Sequence, residues 1–182
     1  QLTVMFCDLV GSTALSQKLD PEALRDLMRA YREACVSVVE KYNGHVAQYL
    51  GDGMMIYFGW PQAHEDDAER ALRCALDIVT AVKTVDAPHP LRVHIGIATG
   101  TVVVGDSADS DVEASKLAIG ETPNLAARLQ GMGGADEIVV GPSTQRLAGA
   151  RFDYEDLGEH TLKGIVEPIR AYRVKGMLRV EG

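Results

Sequence analysis

Two acidic residues stand where apolar runs give way to turns: Asp8 in "FCDLVGST" and Asp52 in "YLGDGM". The flanking runs read as β-strands, and a helix-forming stretch between them returns the chain, so the opening strand can lie beside the Asp52 hairpin with both carboxylates at one edge. Carboxylates brought together repel unless a dication sits between them. Hard oxygen donors of this kind suit Mg²⁺ or Mn²⁺, which keep positions open for phosphate oxygens. Shortly after Asp8, Gly11, Ser12 and Thr13 expose successive backbone N–H groups that can cradle a phosphate. The pair points to metal-assisted chemistry on a phosphorylated substrate. Gly-Asp-Gly alone is also good turn chemistry, because Gly tolerates φ > 0 and Asp bonds its own backbone.

The elements that must position these residues follow from pattern. "LTVMFCDL" is β-rich, and "VGST" turns the chain. Asp20 then reads as an N-cap and Pro21 as the first helical residue. Leu24, Leu27, Met28, Tyr31, Cys35, Val38, Val39 and Tyr42 recur with helical period until Asn43-Gly44 stops them. The hairpin "HVAQYL-GDG-MMIYF" follows. A second helix starts near "HEDDAERA", acidic in its first turn, and runs to about Thr84 along Ala68, Ala71, Leu72, Ala75, Val79 and Val82. "LRVHIGIATG-TVVVGD" reads as a second hairpin, and "LAIGETPNLAARLQGMG" as a short strand, a turn and a helix from near Pro123. "EIVVG", "STQRLAG", "RFDYEDLG" and "IRAYRV" add strands and one short helix. The order implies an α+β sandwich of ferredoxin-like type, an antiparallel-rich sheet with helices packed on one face.

Composition narrows the function. At 182 residues, with 46% hydrophobic and 24% charged residues, the chain suits one ordered globular domain spanning 1–182. It begins abruptly on a strand, as a domain taken from a longer chain would. The excess of 26 acidic over 18 basic residues, a net charge of −8, repels a nucleic-acid backbone. Cys7, Cys35 and Cys74 are odd in number and lie in apolar surroundings, so they read as buried free thiols in a reducing, cytoplasmic compartment. No apolar run is long enough to insert in a membrane.

Several rival motifs are missing. The chain has no G-x-x-x-x-G-K-[ST], and "GIATGTVVVG" lacks G-x-G-x-x-G spacing. His64 in "HEDD" fits an ordinary acidic helix start. His45, His89, His94 and His160 have no His or Cys partner four residues away, so no zinc site is expected. Trp60-Pro61 reads as a packed loop anchor.

Five segments in order, "VMFCDLVGST", "GHVAQYLGDGMMIYF", "LRVHIGIATGTVVVGD", "IGETPNLAARL" and "LKGIVEPIRAYRV", make nearly the whole chain resemble the catalytic domain of class III nucleotidyl cyclases, the adenylate and guanylate cyclase family. The resemblance implies a homodimer with active sites across the interface, turning a nucleoside triphosphate into the 3′,5′-cyclic monophosphate and pyrophosphate. By matching positions, Asp8 and Asp52 would hold two Mg²⁺ or Mn²⁺ ions with the backbone carbonyl of Leu9. The other protomer would supply Asn124 to orient the ribose and Arg128 to stabilise charge on the transferring phosphate, and Lys163 in "TLKG" would bind the terminal phosphates. Asn124 and Arg128, spaced i, i+4, project from one helix face. Such domains are commonly linked to regulatory or effector domains in signal transduction.

The pattern departs where the base is read. ATP-using relatives commonly place a lysine four residues before the second metal aspartate, partnered by aspartate or threonine, and guanylate cyclases place a glutamate at the first of these positions. Here the two positions hold Gln48 and Leu117. Gln offers a purine both donor and acceptor, Leu offers neither, and Lys116 is a neighbouring substitute. ATP is the favoured substrate and GTP the alternative. A rival of another class is a cyclase-homology domain of little or no activity that binds nucleotide or dimerises as a regulatory module. Retention of Asp8, Asp52, Asn124, Arg128 and Lys163 favours the enzyme. A diguanylate-forming domain would carry an acidic Gly-Gly hairpin, which is missing.

Overall fold

A computed structural model describes residues 1–104, 118–119 and 121–178. Its elements are β1 (Leu2–Leu9), α1 (Ser12–Lys18), α2 (Pro21–Lys41), β2 (His45–Leu50), β3 (Gly53–Phe58), α3 (Asp67–Val82), β4 (Val93–Gly100), β5 (Val103–Val104), β6 (Ala118–Ile119), α4 (Glu121–Met132), β7 (Ile138–Val140), α5 (Pro142–Ala148), β8 (Phe152–His160) and β9 (Ile169–Met177). The main sheet has seven strands in the order β2-β3-β1-β4-β7-β9-β8. Its β1-α2-β2-β3-α3-β4 portion is the ferredoxin-like unit, antiparallel throughout, and only the β4–β7 pair of the main sheet is parallel.

Helix α2 shows why the sequence folds this way. Asp20 accepts a hydrogen bond from the Ala23 N–H at 2.8 Å, satisfying one of the unpaired donors at the helix start, and Pro21 follows where no donor is needed. Leu27, Tyr31, Cys35 and Val39 then form a fully buried stripe at helical spacing. Asn43, at φ 57°, ends the helix in the left-handed region. With α3, this stripe covers Met5, Cys7 and Leu9 of β1 and Met54, Ile56 and Phe58 of β3. Each such aliphatic or aromatic side chain contributes roughly 1.5–3 kcal/mol on burial.

The alternate residues of the same strands are buried as well, which corrects one expectation. Val4, Met55, Tyr57 and Ala98 face Ala126 and Leu129 of α4, so α4 lies on the opposite face of the sheet from α2 and α3. Strands apolar on both sides, such as "GMMIYF", require cover on both sides. Helix α4 approaches closely because residue 96 is glycine: a Cβ there would lie 2.2 Å from Ala126 O and Gln130 N.

Two further expectations change. "VGST" is not only a turn: Gly11 adopts φ 75° and starts α1 at Ser12. The second hairpin does not form between β4 and β5, since β4 already pairs with β1 and β7; β5 instead pairs with β6 in a separate two-stranded sheet. The other boundaries fall within a few residues of those expected. Cys7, Cys35 and Cys74 are buried and free, Trp60 packs against the α4-side core, and no helix among the described residues is long and apolar enough to cross a membrane.

Candidate active site

Asp8 is the penultimate residue of β1, on the face that α4 covers. In the sheet register it lies opposite Gly53 of β3 on one side and His94 of β4 on the other. Gly53 matters for what it lacks, since a Cβ there would sit 3.2 Å from Asp8 Oδ1 and 2.9 Å from Cys7 O. The carboxylate leans across that gap toward Asp52, which follows Gly51 (φ 63°) in the β2–β3 turn. The turn is held from below, because Arg32 of α2 donates through Nη2 to Gly51 O at 2.7 Å and lies over the Tyr49 ring at 4.9 Å.

The two carboxyls are near enough to act on each other. Burial, then the hydrogen bond and negative charge of Asp52, push the Asp8 carboxyl above the usual carboxylate range; the Leu9 N–H, which donates to Asp8 Oδ1 at 2.9 Å, and His94 act the other way. That mutual repulsion is what a dication relieves, so hard oxygen donors here fit Mg²⁺ or Mn²⁺. No cluster of three or more His, Cys, Asp or Glu side chains placed for a metal occurs among the described residues. Backbone and substrate oxygens would complete the shell, and the carbonyl of Leu9, next in the chain, is a candidate. Ser12 and Thr13 of α1 line, together with Asp52, an open cavity of about 890 Å³ between α1, α2 and the hairpin. Gly11 caps α1 with its carbonyl accepting from Leu15 N.

Asn124, Arg128 and Lys163 form a second group. Arg128 Nε donates to Lys163 O at 3.1 Å and Asn124 Nδ2 to Gly164 O at 3.5 Å, so one face of α4 holds the turn between β8 and β9. The Lys163 side chain is exposed, as is Arg128. Gln48, on β2 opposite Met55, is half-buried on the α4 side of the hairpin. Leu117 and Lys116 lie outside the described residues.

The registers separate the two groups. Met5 is level with Ile97, Ile97 with Val140 and Val140 with Tyr172, while β9 runs toward the Asp8 end of the sheet. The β8–β9 turn therefore leaves the sheet at the Leu2 end. Three strand spacings across and several residues along put Lys163 on the order of 20 Å from Asp8. One chain thus brings Asp8 to Asp52, and Asn124 to Arg128 and Lys163, without joining the two sets.

Sequence reasoning passed over His94, whose Nε2 lies 3.9 Å from Asp8 Oδ2 and 2.9 Å from Gln130 Nε2. Its only sequence signal was strand position, which becomes informative once the β1–β4 register is known. Arg32 was passed over for the same reason, since its contact spans α2 and the hairpin.

Comparison with known proteins bears on this geometry. The family model described as the adenylate and guanylate cyclase catalytic domain matches residues 1–176. The crystal structure of the adenylyl cyclase CyaB from P. aeruginosa superposes with a TM-score of 0.90 at 31% identity, covering 100% of this chain and 96% of that one. The guanylyl cyclase Cya2 superposes at 0.87 with 27% identity, covering 100% and 94%. Adenylate cyclase 1 of Rhizobium meliloti (strain 1021) is 28% identical over 98% of this chain. The chain spans 17% and 28% of the length of the first two curated relatives it matches.

Proposed function

The chain belongs to the adenylate and guanylate cyclase catalytic-domain family, and from that premise we propose that it is a nucleotidyl cyclase converting ATP to 3′,5′-cyclic AMP and pyrophosphate at the interface of a homodimer. The observation that carries the reading is the division of the site: an acidic pair at one end of the sheet and an Asn–Arg–Lys group toward the other, each unfinished alone. A two-fold axis placing the Asp8 end of one chain against the Leu2 end of its partner completes two identical sites. Leu50, 42% exposed beside the Asp52 turn, and Val166, 93% exposed beside Lys163, put apolar surface next to each half.

Asp8 and Asp52, with the Leu9 carbonyl, would hold two Mg²⁺ or Mn²⁺ ions. Such ions supply positive charge that acidifies the ribose 3′-hydroxyl and neutralises the triphosphate. The α1 N-terminal residues Gly11, Ser12 and Thr13 face the phosphates with backbone N–H groups. The partner's copy of Asn124 orients the ribose, and that of Arg128 meets the charge that develops on the transferring phosphate, an effect worth roughly 3 kcal/mol per well-placed donor. The partner's copy of Lys163 binds the terminal phosphates, and Gln48 reads the base, with Leu117 assigned to the same task by its sequence position alone. No protein nucleophile is needed. The proposed setting is a cytoplasmic catalytic domain linked to regulatory or effector domains, supported by the short span of its relatives that it covers and by its free buried thiols.

The test is product identification by mass spectrometry with Mn²⁺ and with ATP and GTP in competition. Cyclic AMP is expected in excess, and Asp52→Ala abolishes it while the dimer and its unfolding temperature persist. A folded Asp52→Ala protein of unchanged rate would refute the metal assignment, and cyclic GTP in excess would refute the base.

A further inference from the structure

Asp8 is flanked unequally. Its β3 neighbour, Gly53, has no side chain, and its β4 neighbour, His94, has a large one. Directly opposed residues in antiparallel strands have Cβ atoms about 5 Å apart, so the imidazole walls off one side of the carboxylate while the other side is open. Asp8 accordingly leans over Gly53, toward Asp52.

His94 is in turn fixed from above. Its Nε2 meets the Gln130 side-chain amide at 2.9 Å, and Gln130 reaches it because Gly96 lets the α4 backbone settle onto β4. The amide can meet the ring through either of its ends. The ring tautomer sets which of the two groups donates, and Asp8 Oδ2 lies 3.9 Å from the same ring nitrogen. The imidazole is 23% exposed and so has little room to swing.

Resting on the cyclase reading above, we propose that His94, held by Gln130 of α4, is a positioning residue that confines the Asp8 carboxylate to the side of Asp52 and so keeps the acidic pair assembled for divalent-cation binding. His94 touches neither substrate nor metal in this role. It acts through Asp8, and Gln130 acts through His94.

Mn²⁺ binding by calorimetry, with a non-cyclisable ATP analogue present, tests this without turnover. His94→Ala is expected to weaken Mn²⁺ binding fivefold or more, and His94→Gln, which keeps bulk and an amide, to restore it to within twofold. Unchanged affinity in a folded His94→Ala protein would overturn the proposal. Should that variant not fold, Gln130→Leu, at a half-buried helix position, decides by the same measurement. A second arm separates positioning from mere docking of α4. Differently tagged chains carrying Asp8→Ala and Arg128→Ala form a mixed dimer with one composite site, whose Asp8 comes from the second chain. Gln130→Leu in that second chain is expected to lower kcat at least fivefold with nucleotide KM within twofold, and in the first chain to cost less than twofold. Equal losses in both placements would overturn the positioning role. Wild-type protein that neither binds Mn²⁺ nor cyclises either nucleotide would overturn this proposal together with the cyclase reading; wild-type activity with unaffected variants overturns the positioning role alone.

Discussion

Replacing Asp8 by Asn is expected to make the metal-free protein more stable while destroying its response to metal. The carboxyl is pushed above its usual range by burial and by Asp52, so the folded state holds the Asp8 proton more tightly than the unfolded chain does. Metal-free stability therefore falls as pH rises from the ordinary aspartate value of about 3.9 through the raised folded value, and stays at its lower level beyond it. Two unit charges about 4 Å apart repel by about 1 kcal/mol in water and by several times that in a protein interior. Asp8 is 37% exposed, which places the pair near the lower figure, about 1 kcal/mol. For a chain of this size that corresponds to about 2–4 °C in unfolding temperature. Asn keeps the oxygen that accepts from the Leu9 N–H, so the hydrogen bond need not be lost. Mn²⁺ at ten times its dissociation constant stabilises the wild type by about 1.4 kcal/mol, or about 3–6 °C, through mass action. The assay is thermal unfolding of both proteins in EDTA and in millimolar Mn²⁺, from pH 4 to pH 8. Asp8→Asn should unfold higher than wild type in EDTA at neutral pH, lose that advantage toward pH 4, and show no Mn²⁺ shift. A lower unfolding temperature in EDTA at neutral pH, or an equal Mn²⁺ shift in both proteins, would refute the electrostatic reasoning.

Three other outcomes are expected. Asp8→Ala and Arg128→Ala chains, each inactive alone, should regain about half of wild-type activity as a purified mixed dimer, because one of its two composite sites is intact; a verified mixed dimer without activity would count against sites shared between chains. Gly96→Ala should destabilise the fold by about 3 kcal/mol or more, since its Cβ would sit 2.2 Å from α4 backbone atoms that cannot yield as a side-chain tip can, and chemical denaturation showing a change below 1 kcal/mol would contradict that close approach. Gln48→Lys with Leu117→Asp should raise the ratio of kcat/KM for ATP over GTP roughly tenfold or more by supplying polar partners for the base edge, and an unmoved ratio would mean that the base is read elsewhere.

What the sequence made legible was local, and what it hid was relational. The Asp20 cap, the stripe from Leu27 to Val39 and the Gly51–Gly53 turn are each specified by residues close in the chain, and the structure has them where pattern puts them. Helix α4 has a readable apolar stripe too, but Ala126 and Leu129 say only that one side is buried, not which face of the sheet buries it. The face follows from β1 and β3 being apolar on both sides, a property of the assembled sheet. Adjacency in sequence makes Val103–Val104 the return strand of a hairpin, but β4 has no free edge to offer, since β1 and β7 occupy both. His94 looked inert for the same reason, as its relation to Asp8 exists only across the β1–β4 ladder.

The acidic pair and the Asn124–Arg128 spacing were visible because each lies within one turn or one helix, or at the ends of adjoining strands. Their separation was not visible. It arises because β9 runs back toward the Asp8 end, which sends the Lys163 turn to the opposite end of the sheet. Under the proposed function that antiparallel return explains why catalysis needs two chains. Helix α4 is pinned to β4 by Gly96, and Asn124 and Arg128 are tied to the turn at its side through Gly164 O and Lys163 O, so no hinge within one protomer can bring that group onto Asp8 without unpacking the α4 face of the core. A second copy related by a two-fold axis removes the need for any such movement, so activity should scale with the dimer and vanish on dilution below its dissociation constant, with fold intact.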